Sequence, residues 1–182
     1  MISPKKIKTI GDRCLRQKSE EVEFDKDEMA KLYAEMCQAM WMSDGIGLAA
    51  PQIGVNKRVI IVDESTEEYG KYAHLMVNPK ITWKSEEKVL LDEGCLSVPD
   101  QNGEVSRSKS IKLTFQNKDG KYKKWKLDGI KHQIHDIQLG IDYIVNNEST
   151  LPDSLLNDYS QLEKKLSIYT NVLDSLIENN IN

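Results

Sequence analysis

Two histidines three residues apart, His132 and His135, constrain this chain of 182 residues more than any other feature. They lie in an apolar-periodic run, residues 132–140, whose spacing predicts a helix. Residues at positions i and i+3 share one face of a helix, so both imidazoles can reach a single metal ion. The sequence therefore predicts a helix that carries metal ligands. The remaining histidine, His74, is predicted to be an ordinary strand residue.

This run resembles the His-Glu-x-x-His motif of zinc hydrolases, in which two histidines at i and i+4 hold the metal and the glutamate is the general base. Here Gln133 occupies the glutamate position and Asp136 the i+4 position. His135 lies within about 60° of His132 around a helix and can still ligate. Asp136 can ligate through oxygen. His135 and Asp136 therefore remain alternatives for one ligand, and a third interpretation is that these are surface polar residues that bind no metal.

Bulk composition excludes several classes of protein. The formal net charge is −4, so direct binding to nucleic acid or to an anionic membrane is not expected. No apolar run approaches the ~18 residues needed to cross a bilayer, and the charged N-terminus lacks the apolar core of a secretory signal. The three cysteines, Cys14, Cys37 and Cys95, are odd in number and widely spaced, which favours a reducing compartment. We expect the cytoplasm, or an organelle lumen after removal of a transit peptide.

Periodicity predicts one helix followed by several strands. Apolar residues at three- and four-residue steps predict an amphipathic helix over 25–42, which ends before the glycines at 45 and 47. Strands are predicted over 58–62, 76–83, 88–92, 110–116 and 121–127. The last two flank Asn117-Lys118-Asp119-Gly120, which is a hairpin signal.

From residue 148 the pattern changes to a heptad repeat. Apolar residues alternate by steps of four and three at Leu155, Tyr159, Leu162, Leu166, Tyr169, Leu173 and Leu176. We therefore divide the chain into a domain over 1–147 and an amphipathic helix over 148–182. Two interpretations of the helix stay open: it packs on its own domain, or it forms a coiled coil with a second copy or another partner.

Three separated motifs carry the candidate chemistry. They are Gly45-Ile46-Gly47-Leu48-Ala49-Ala50-Pro51-Gln52, Glu93-Gly94-Cys95-Leu96-Ser97-Val98-Pro99 and His132-Gln133-Ile134-His135-Asp136. In this order, over about residues 5 to 143, they resemble the peptide deformylase family. The resemblance implies an α+β fold with mostly antiparallel sheets around a central metal-binding helix, extended here by the long C-terminal helix. It also implies hydrolysis of the N-formyl group from the N-terminal formyl-methionine of nascent polypeptides.

The same resemblance implies a set of site residues. The metal ligands would be Cys95, His132 and either His135 or Asp136, holding one divalent ion, Fe²⁺ in the first place, with Zn²⁺, Ni²⁺ or Co²⁺ as alternatives. The catalytic residues would be Gln52, Leu96 and Gln133, of which Gln52 and the Leu96 N–H would stabilise an oxyanion. The substrate-binding residues would be Gly45, Ile46, Gly47, Leu48, Gly94 and Arg107. The expected partners are a formylated nascent peptide, the ribosome and a second copy of this chain.

Two of these residues carry open questions. Arg107 either pairs with Asp44 or is a solvated charge. Gln133 cannot accept a proton, although general acid–base catalysis contributes about 10²- to 10⁴-fold to a rate. Glu93 and Asp136 are alternative bases. A rival hypothesis is therefore a deformylase-like peptide-binding protein, impaired in catalysis, that acts through its C-terminal helix.

Overall fold

The computed structural model describes residues 5–63, 73–128, 137, 138, 140 and 141. One α-helix, α1, spans Lys26–Trp41, and short 3₁₀ turns span Arg13–Arg16 and Ala50–Ile53. The strands are β1 (Gly47–Ala49), β2 (Val59–Asp63), β3 (Ala73–Lys84), β4 (Lys88–Cys95), β5 (Val98–Ser108), β6 (Ser110–Gln116) and β7 (Tyr122–Asp128). No helix in these described ranges is long and apolar enough to span a membrane.

Helix α1 forms where the periodicity predicts it. The Asp25 carboxylate accepts a hydrogen bond from the Glu28 N–H at 2.7 Å and so satisfies one of the unpaired N–H groups of the first turn. Its predicted apolar face, which includes Met29, Leu32, Met36 and Met40, is buried in the core. After Trp41 the chain turns back, and the Gly45 N–H donates to the Met40 carbonyl at 2.9 Å. The helix therefore delivers the first motif directly to the start of β1.

The strands form two antiparallel sheets. The larger sheet has the order β1-β2-β3-β6-β7, and β4 pairs with β5 in the smaller one. The predicted hairpin joins β6 to β7, with Gly120 at φ 73° and the Asn117 N–H bonded to the Lys121 carbonyl at 3.0 Å. His74 lies in β3, as predicted. Its ring packs edge-on against the Trp125 ring, with 4.9 Å between the ring centroids.

Two hydrophobic clusters fill the larger sheet's two faces. The first joins α1 to alternate residues of β2 and β3, Val59, Ile61, Leu75 and Val77 among them. The second contains the interleaved Ile60, Val62 and Met76 with Ile111, Leu113, Phe115, Ile137 and Ile141. Burial on both faces explains why β2 reads as a continuous apolar run rather than an alternating one.

The coarse fold class is confirmed, namely antiparallel sheets with few helices. Strand β5 was not predicted, because Val98–Ser108 is largely polar and is held in extended form by its pairing with β4. The predicted metal-ligand positions 132–136 and the predicted helix over 148–182 lie outside the described residues. At residues 137, 138, 140 and 141 the chain is helical, as the spacing predicts.

Candidate active site

The first and second motifs line one cleft of about 520 Å³. The cleft wall includes Ser43 to Ala49 with Gln52 from the first motif, Gly94 to Leu96 with Val98 and Pro99 from the second, and Gly140 from the helical segment. The sequence therefore predicts correctly that these two distant segments meet. Asp100, Gln101 and Asn102 also line the cleft and were not predicted, because they belong to the unpredicted strand β5.

Cys95 ends β4 at an irregularity in the β4–β5 pairing. The register shifts between Gly94 and Cys95, so that Cys95 is opposite Val98 and the chain reverses through Leu96 and Ser97. The thiol is partly exposed at the cleft. An accessible sulfur at a strand end is what a soft metal ligand requires. Cys14 and Cys37 do not line this cleft, so Cys95 is its cysteine.

Gln52 is 5% exposed and lies on the short 3₁₀ turn that follows β1. Its Oε1 accepts from the Ala49 N–H at 2.9 Å, and its Nε2 donates to the Ser97 Oγ at 3.1 Å. These two bonds determine which end of the amide is which, because only the oxygen can accept and only the nitrogen can donate. Nε2 therefore faces the cleft side, 3.8 Å from the Cys95 Sγ.

Ser97 was not given a role from the sequence, although it lies inside the second motif. It is fully buried, and its carbonyl accepts from the Ile10 N–H at 2.8 Å while its hydroxyl holds Gln52. Ser97 thus ties the second motif both to the N-terminal segment and to the first motif. The position of Ser97 close to the candidate ligand Cys95 was a signal that the sequence offered. Its hydrogen-bond partner Gln52 lies 45 residues away and could not be predicted from the sequence.

Gly45 packs closely against Leu96 and against the end of α1. A Cβ at Gly45 would lie 2.7 Å from the Leu96 Cδ1 and 3.2 Å from the Met40 Cγ. A side chain at this position would therefore displace the Leu96 side chain and crowd Met40 of α1, beside the cleft that Gly45 lines. Asp44 beside it has φ 53°, a left-handed conformation that residues other than glycine rarely adopt.

Strand β1 is an edge of the larger sheet. It pairs with β2 on one side, and within the described ranges no strand pairs with its other edge. Edge backbone groups are available to an extended peptide, which can add as a further strand. The segment 45–48 therefore forms part of the cleft wall and leads into a strand edge that no other strand of the described ranges covers.

Arg107 differs from both expectations. It is 6% exposed, so it is not a solvated charge. Its Nε and Nη2 donate to the two oxygens of the Glu93 carboxylate, each at 2.9 Å, so its bidentate partner is Glu93 rather than Asp44. Arg107 is not among the residues that line this cleft, and its role in substrate binding stays a prediction. The pair instead joins β4 to β5 just before Cys95.

The residues that directly follow the third motif are described from Ile137 onward. Gln138 is buried and donates to the Ser108 carbonyl at 3.1 Å, and a Cβ on Gly140 would lie 3.1 Å from the Ile60 Cγ2. These contacts hold the segment against β5 and β2, next to the cleft. His132, Gln133, His135 and Asp136 lie outside the described residues. Within the described residues no cluster of three or more His, Cys, Asp or Glu could hold a metal.

Cys37 is buried and does not line the cleft. Burial raises the pKa of Cys37 from 9.0 to about 11, partly offset by a hydrogen bond with Tyr33. Burial likewise raises the pKa of Tyr33 to about 12, and its hydroxyl donates to the Ala73 carbonyl at 2.7 Å. Both groups are thus neutral at physiological pH and pack α1 against the larger sheet.

Comparison with known proteins agrees with this geometry. The model of the polypeptide deformylase family matches residues 4–143. The peptide deformylase of Picosynechococcus sp. is 36% identical over 159 residues, which are 84% of each chain. A solved structure of a probable peptide deformylase from Synechococcus phage S-SSM7 is 80% identical, covers 76% of this chain and 92% of its own, and superposes with a TM-score of 0.72.

A plant structure resembles the fold over a longer span. Peptide deformylase 1B of Arabidopsis thaliana, in complex with an inhibitor, is 29% identical, covers 91% of this chain and 94% of its own, and gives a TM-score of 0.77. The matched segment of the family model contains both cleft motifs and the helical segment beside them. This chain belongs to the peptide deformylase family.

Proposed function

We propose that this chain hydrolyses the N-formyl group from the N-terminal formyl-methionine of nascent polypeptides. One observation carries the proposal beyond family membership: the cleft brings Gln52 Nε2 to 3.8 Å from Cys95 Sγ, beside the open edge of β1. A hydrogen-bond donor, a thiol and an edge strand around one space support the proposal. In the reaction, water oxygen bonds to the formyl carbon, the C–N bond breaks, and the amine takes a proton, giving formate and a free N-terminus.

The residues present fit a divalent cation, which the family requires. Cys95 offers a partly exposed sulfur at the cleft, and the segment that follows the candidate ligands packs beside it through Gly140. His132 and either His135 or Asp136 would complete the set with Cys95, for Fe²⁺ in the first place and Zn²⁺, Ni²⁺ or Co²⁺ as alternatives. When bound, such a cation makes water more acidic and polarises the carbonyl oxygen.

The chain's own groups would orient the substrate and stabilise charge. Gln52 Nε2 donates one hydrogen to the Ser97 Oγ and directs the other toward the Cys95 Sγ at 3.8 Å. That second, long hydrogen bond would be exchanged for one to the substrate oxygen that becomes negative as water adds. The Leu96 N–H is the second donor of the proposal. Residues 45–48 would pair with the peptide main chain as an added strand, and Gly94 would line the wall opposite.

The proton transfers are the weak step. An amide such as Gln133 neither accepts nor donates a proton as an acid or base at physiological pH, so the transfer from water to the leaving amine would rely on solvent or on Asp136. Glu93 is a poor substitute base, because it is 9% exposed and both its oxygens accept from Arg107. We therefore propose a slow deformylase. The same residue supports the second candidate, a peptide-binding protein with little catalysis.

Formate release from formyl-Met-Ala tests the proposal. Anaerobically purified full-length protein should contain one divalent ion per chain and release formate. Cys95→Ser should lose both the ion and the activity, because the hydroxyl is a much poorer soft ligand than a thiolate. Cys14→Ser, which changes a thiol outside the cleft, is the matched control and should keep both. Wild-type protein that binds the formyl peptide but releases no formate would support the second candidate instead.

A further inference from the structure

The outer face of the β3–β6–β7 part of the larger sheet is basic. Directly opposite residues of antiparallel strands share a face, and register pairs Lys80 with Thr114, Thr114 with Lys124, and Lys112 with Lys126. Their neighbours Ile111, Leu113 and Phe115 point the other way, into the core. We name as the basic face the outward, exposed residues Lys80, Trp83, Lys112, Tyr122, Lys124 and Lys126.

Within the described ranges, most of these lysines have no carboxylate partner. In the described part of the chain, Lys80, Lys112 and Lys124 form no ion pair. Asp128, opposite Ser110 in the strand register, accepts a hydrogen bond from the Ser110 hydroxyl and lies 3.4 Å from Lys126. Among the described residues, four lysines and this one paired carboxylate leave the face positive, although the whole chain carries −4. Net charge alone therefore hides a local surface of the opposite sign.

Folding alone does not explain the arrangement. Like charges directly opposite each other, as Lys112 and Lys126 are, destabilise an antiparallel pair. Lysines on β7 protect an edge strand from pairing with other chains. That role does not extend to Lys80 and Lys112, which lie on the interior strands β3 and β6.

Two exposed aromatic side chains accompany the lysines. Tyr122 is 81% exposed, opposite Gln116 on the same face. Trp83 is 45% exposed, and the Lys112 ammonium lies 5.3 Å from its ring centroid. Tyr122, as the more exposed of the two, gains little from burial. Exposed aromatic rings between lysines are instead the pattern with which proteins bind nucleic-acid strands, since bases stack on the rings while phosphates meet the ammonium groups.

We propose that the basic face binds single-stranded RNA, with the lysines contacting phosphates and with Tyr122 and Trp83 offering stacking surfaces. The proposal is independent of the proposed hydrolysis, because none of its residues lines the cleft. Binding should be modest and strongly dependent on salt. Each phosphate contact to a single strand contributes about 0.7 to the slope of log affinity against log salt concentration.

The test is fluorescence anisotropy of a labelled oligouridylate of about 16 nucleotides, within the site size of single-strand modules, titrated with the full-length protein over a salt series. Lys112→Glu/Lys124→Glu/Lys126→Glu should weaken binding at least about tenfold and lower the salt slope by about 2, for three lost contacts. The matched control is Lys18→Glu/Lys26→Glu/Lys31→Glu, which changes the net charge equally at exposed lysines elsewhere. The control should bind nearly as the wild type does.

Two further variants separate the causes. Lys112→Gln/Lys124→Gln/Lys126→Gln removes the charge without adding acidic groups, so it should weaken binding while circular dichroism stays that of the wild type. Tyr122→Ala should weaken binding several-fold without changing the salt slope, because stacking releases no counterions. The proposal is overturned if wild-type protein does not bind RNA at low salt, or if both charge-reversed triples lose binding equally. Binding to phosphatidylserine vesicles but not to RNA would assign the face to a membrane and also refute the proposal.

Discussion

Hydrogen bonds determine both ends of the Gln52 amide, and this is the detail of the cleft with the clearest chemical consequence. The amide oxygen accepts a hydrogen bond from the Ala49 N–H, so the amide nitrogen is the atom that faces Cys95. A donor held before the reaction begins does not have to reorient when negative charge develops, which is the basis of electrostatic stabilisation of a transition state.

Gln52→Leu should lower kcat by about 10²- to 10³-fold, the usual effect of removing one oxyanion donor, while KM changes little. Formate release measured over a range of peptide concentrations separates the two constants. Ser97→Ala is the comparison, since it loosens the amide but leaves the donor in place and should give a smaller loss. A Gln52→Leu variant that raises KM without lowering kcat would show that Gln52 binds the substrate and does not stabilise charge.

Cys37 and Tyr33 give a prediction about pH. Burial raises the pKa of Cys37 to about 11 from 9.0, so the unfolded chain loses this proton at lower pH than the folded protein does. Above pH 9 the unfolded state binds fewer protons, and the free energy of unfolding falls as pH rises toward 11. Below pH 9 the contribution is fully present.

Urea unfolding at a series of pH values checks this effect. Cys37→Ala lacks the titrating group, so its unfolding free energy should decline less steeply between pH 9 and 11 than that of the wild type. Cys14→Ala removes a partly exposed thiol whose pKa burial also raises, though by less, so it should flatten the decline less than Cys37→Ala does. Parallel curves for wild type and Cys37→Ala would contradict the assignment.

The sequence predicts single residues well where a motif contains them and poorly where their partners are distant. Gln52, Cys95 and Leu96 line one cleft, as the family resemblance implied from the two motifs that contain them, although those motifs lie 43 residues apart. The ion-pair partner of Arg107 could not be predicted from the sequence. Glu93 lies 14 residues away on another strand, and no neighbouring residue distinguishes it from the other carboxylates. The reason for Gly45 was hidden too, because it depends on where Leu96 packs.

The β4–β5 hairpin is the element that carries Cys95, and a buried ion pair ties its strands together. Arg107 and Glu93 side chains are 7% and 5% exposed, so neither charge has water to replace a lost partner. Removing one member of a buried pair leaves an uncompensated charge, whereas replacing both by apolar residues of similar size is often tolerated.

Glu93→Leu should lower the free energy of unfolding by about 3–5 kcal/mol, because it leaves the Arg107 guanidinium buried without its bidentate partner. The double variant Glu93→Leu/Arg107→Met should recover part of that loss. Glu87→Gln is the matched control, since the Glu87–Lys109 pair is exposed and its loss should change stability little. Equal effects of Glu93→Leu and Glu87→Gln in chemical denaturation would contradict this account of the hairpin.

Helices and strands with a clear periodicity of apolar residues were predicted from the sequence. A strand that is extended only because it pairs with a neighbouring strand was not. Helix α1 and strand β6 fall within one or two residues of their predicted ranges, since apolar periodicity and hairpin turn residues define them. Strand β5 has polar residues at most positions, so only its ladder with β4 makes it extended. The missing strand also explains why Asp100 to Asn102 were absent from the predicted cleft.

The molecule as a whole is predicted to extend beyond the family domain. The heptad pattern over Leu155 to Leu176 lies after residue 143, where the match to the family model ends. We propose that 148–182 is a helix whose apolar stripe is covered either by its own domain or by a second copy. The neighbouring Leu156 and Val172 widen the stripe, which suits packing on a domain as well as a coiled coil.

Light scattering of the full chain against a chain ending at Asn147 distinguishes the two arrangements. A full-length dimer that becomes a monomer on truncation would establish self-association through this helix. A monomer in both cases, with easier thermal unfolding after truncation, would establish the intramolecular contact. Two monomers of equal stability would reject both.

We propose that this protein is a deformylase slowed by Gln133, an amide at the position of the family's general base. The direct measurement is formate release from formyl-Met-Ala by the wild type and by Gln133→Glu, with Cys95→Ser as the inactive reference and equal metal content in the two active samples. The wild type should be slow but faster than Cys95→Ser, and Gln133→Glu should be about 10²-fold or more faster than the wild type, because it restores a proton acceptor. A wild type that already turns over at the rate of Gln133→Glu, or a Gln133→Glu variant as inactive as Cys95→Ser, would contradict this account.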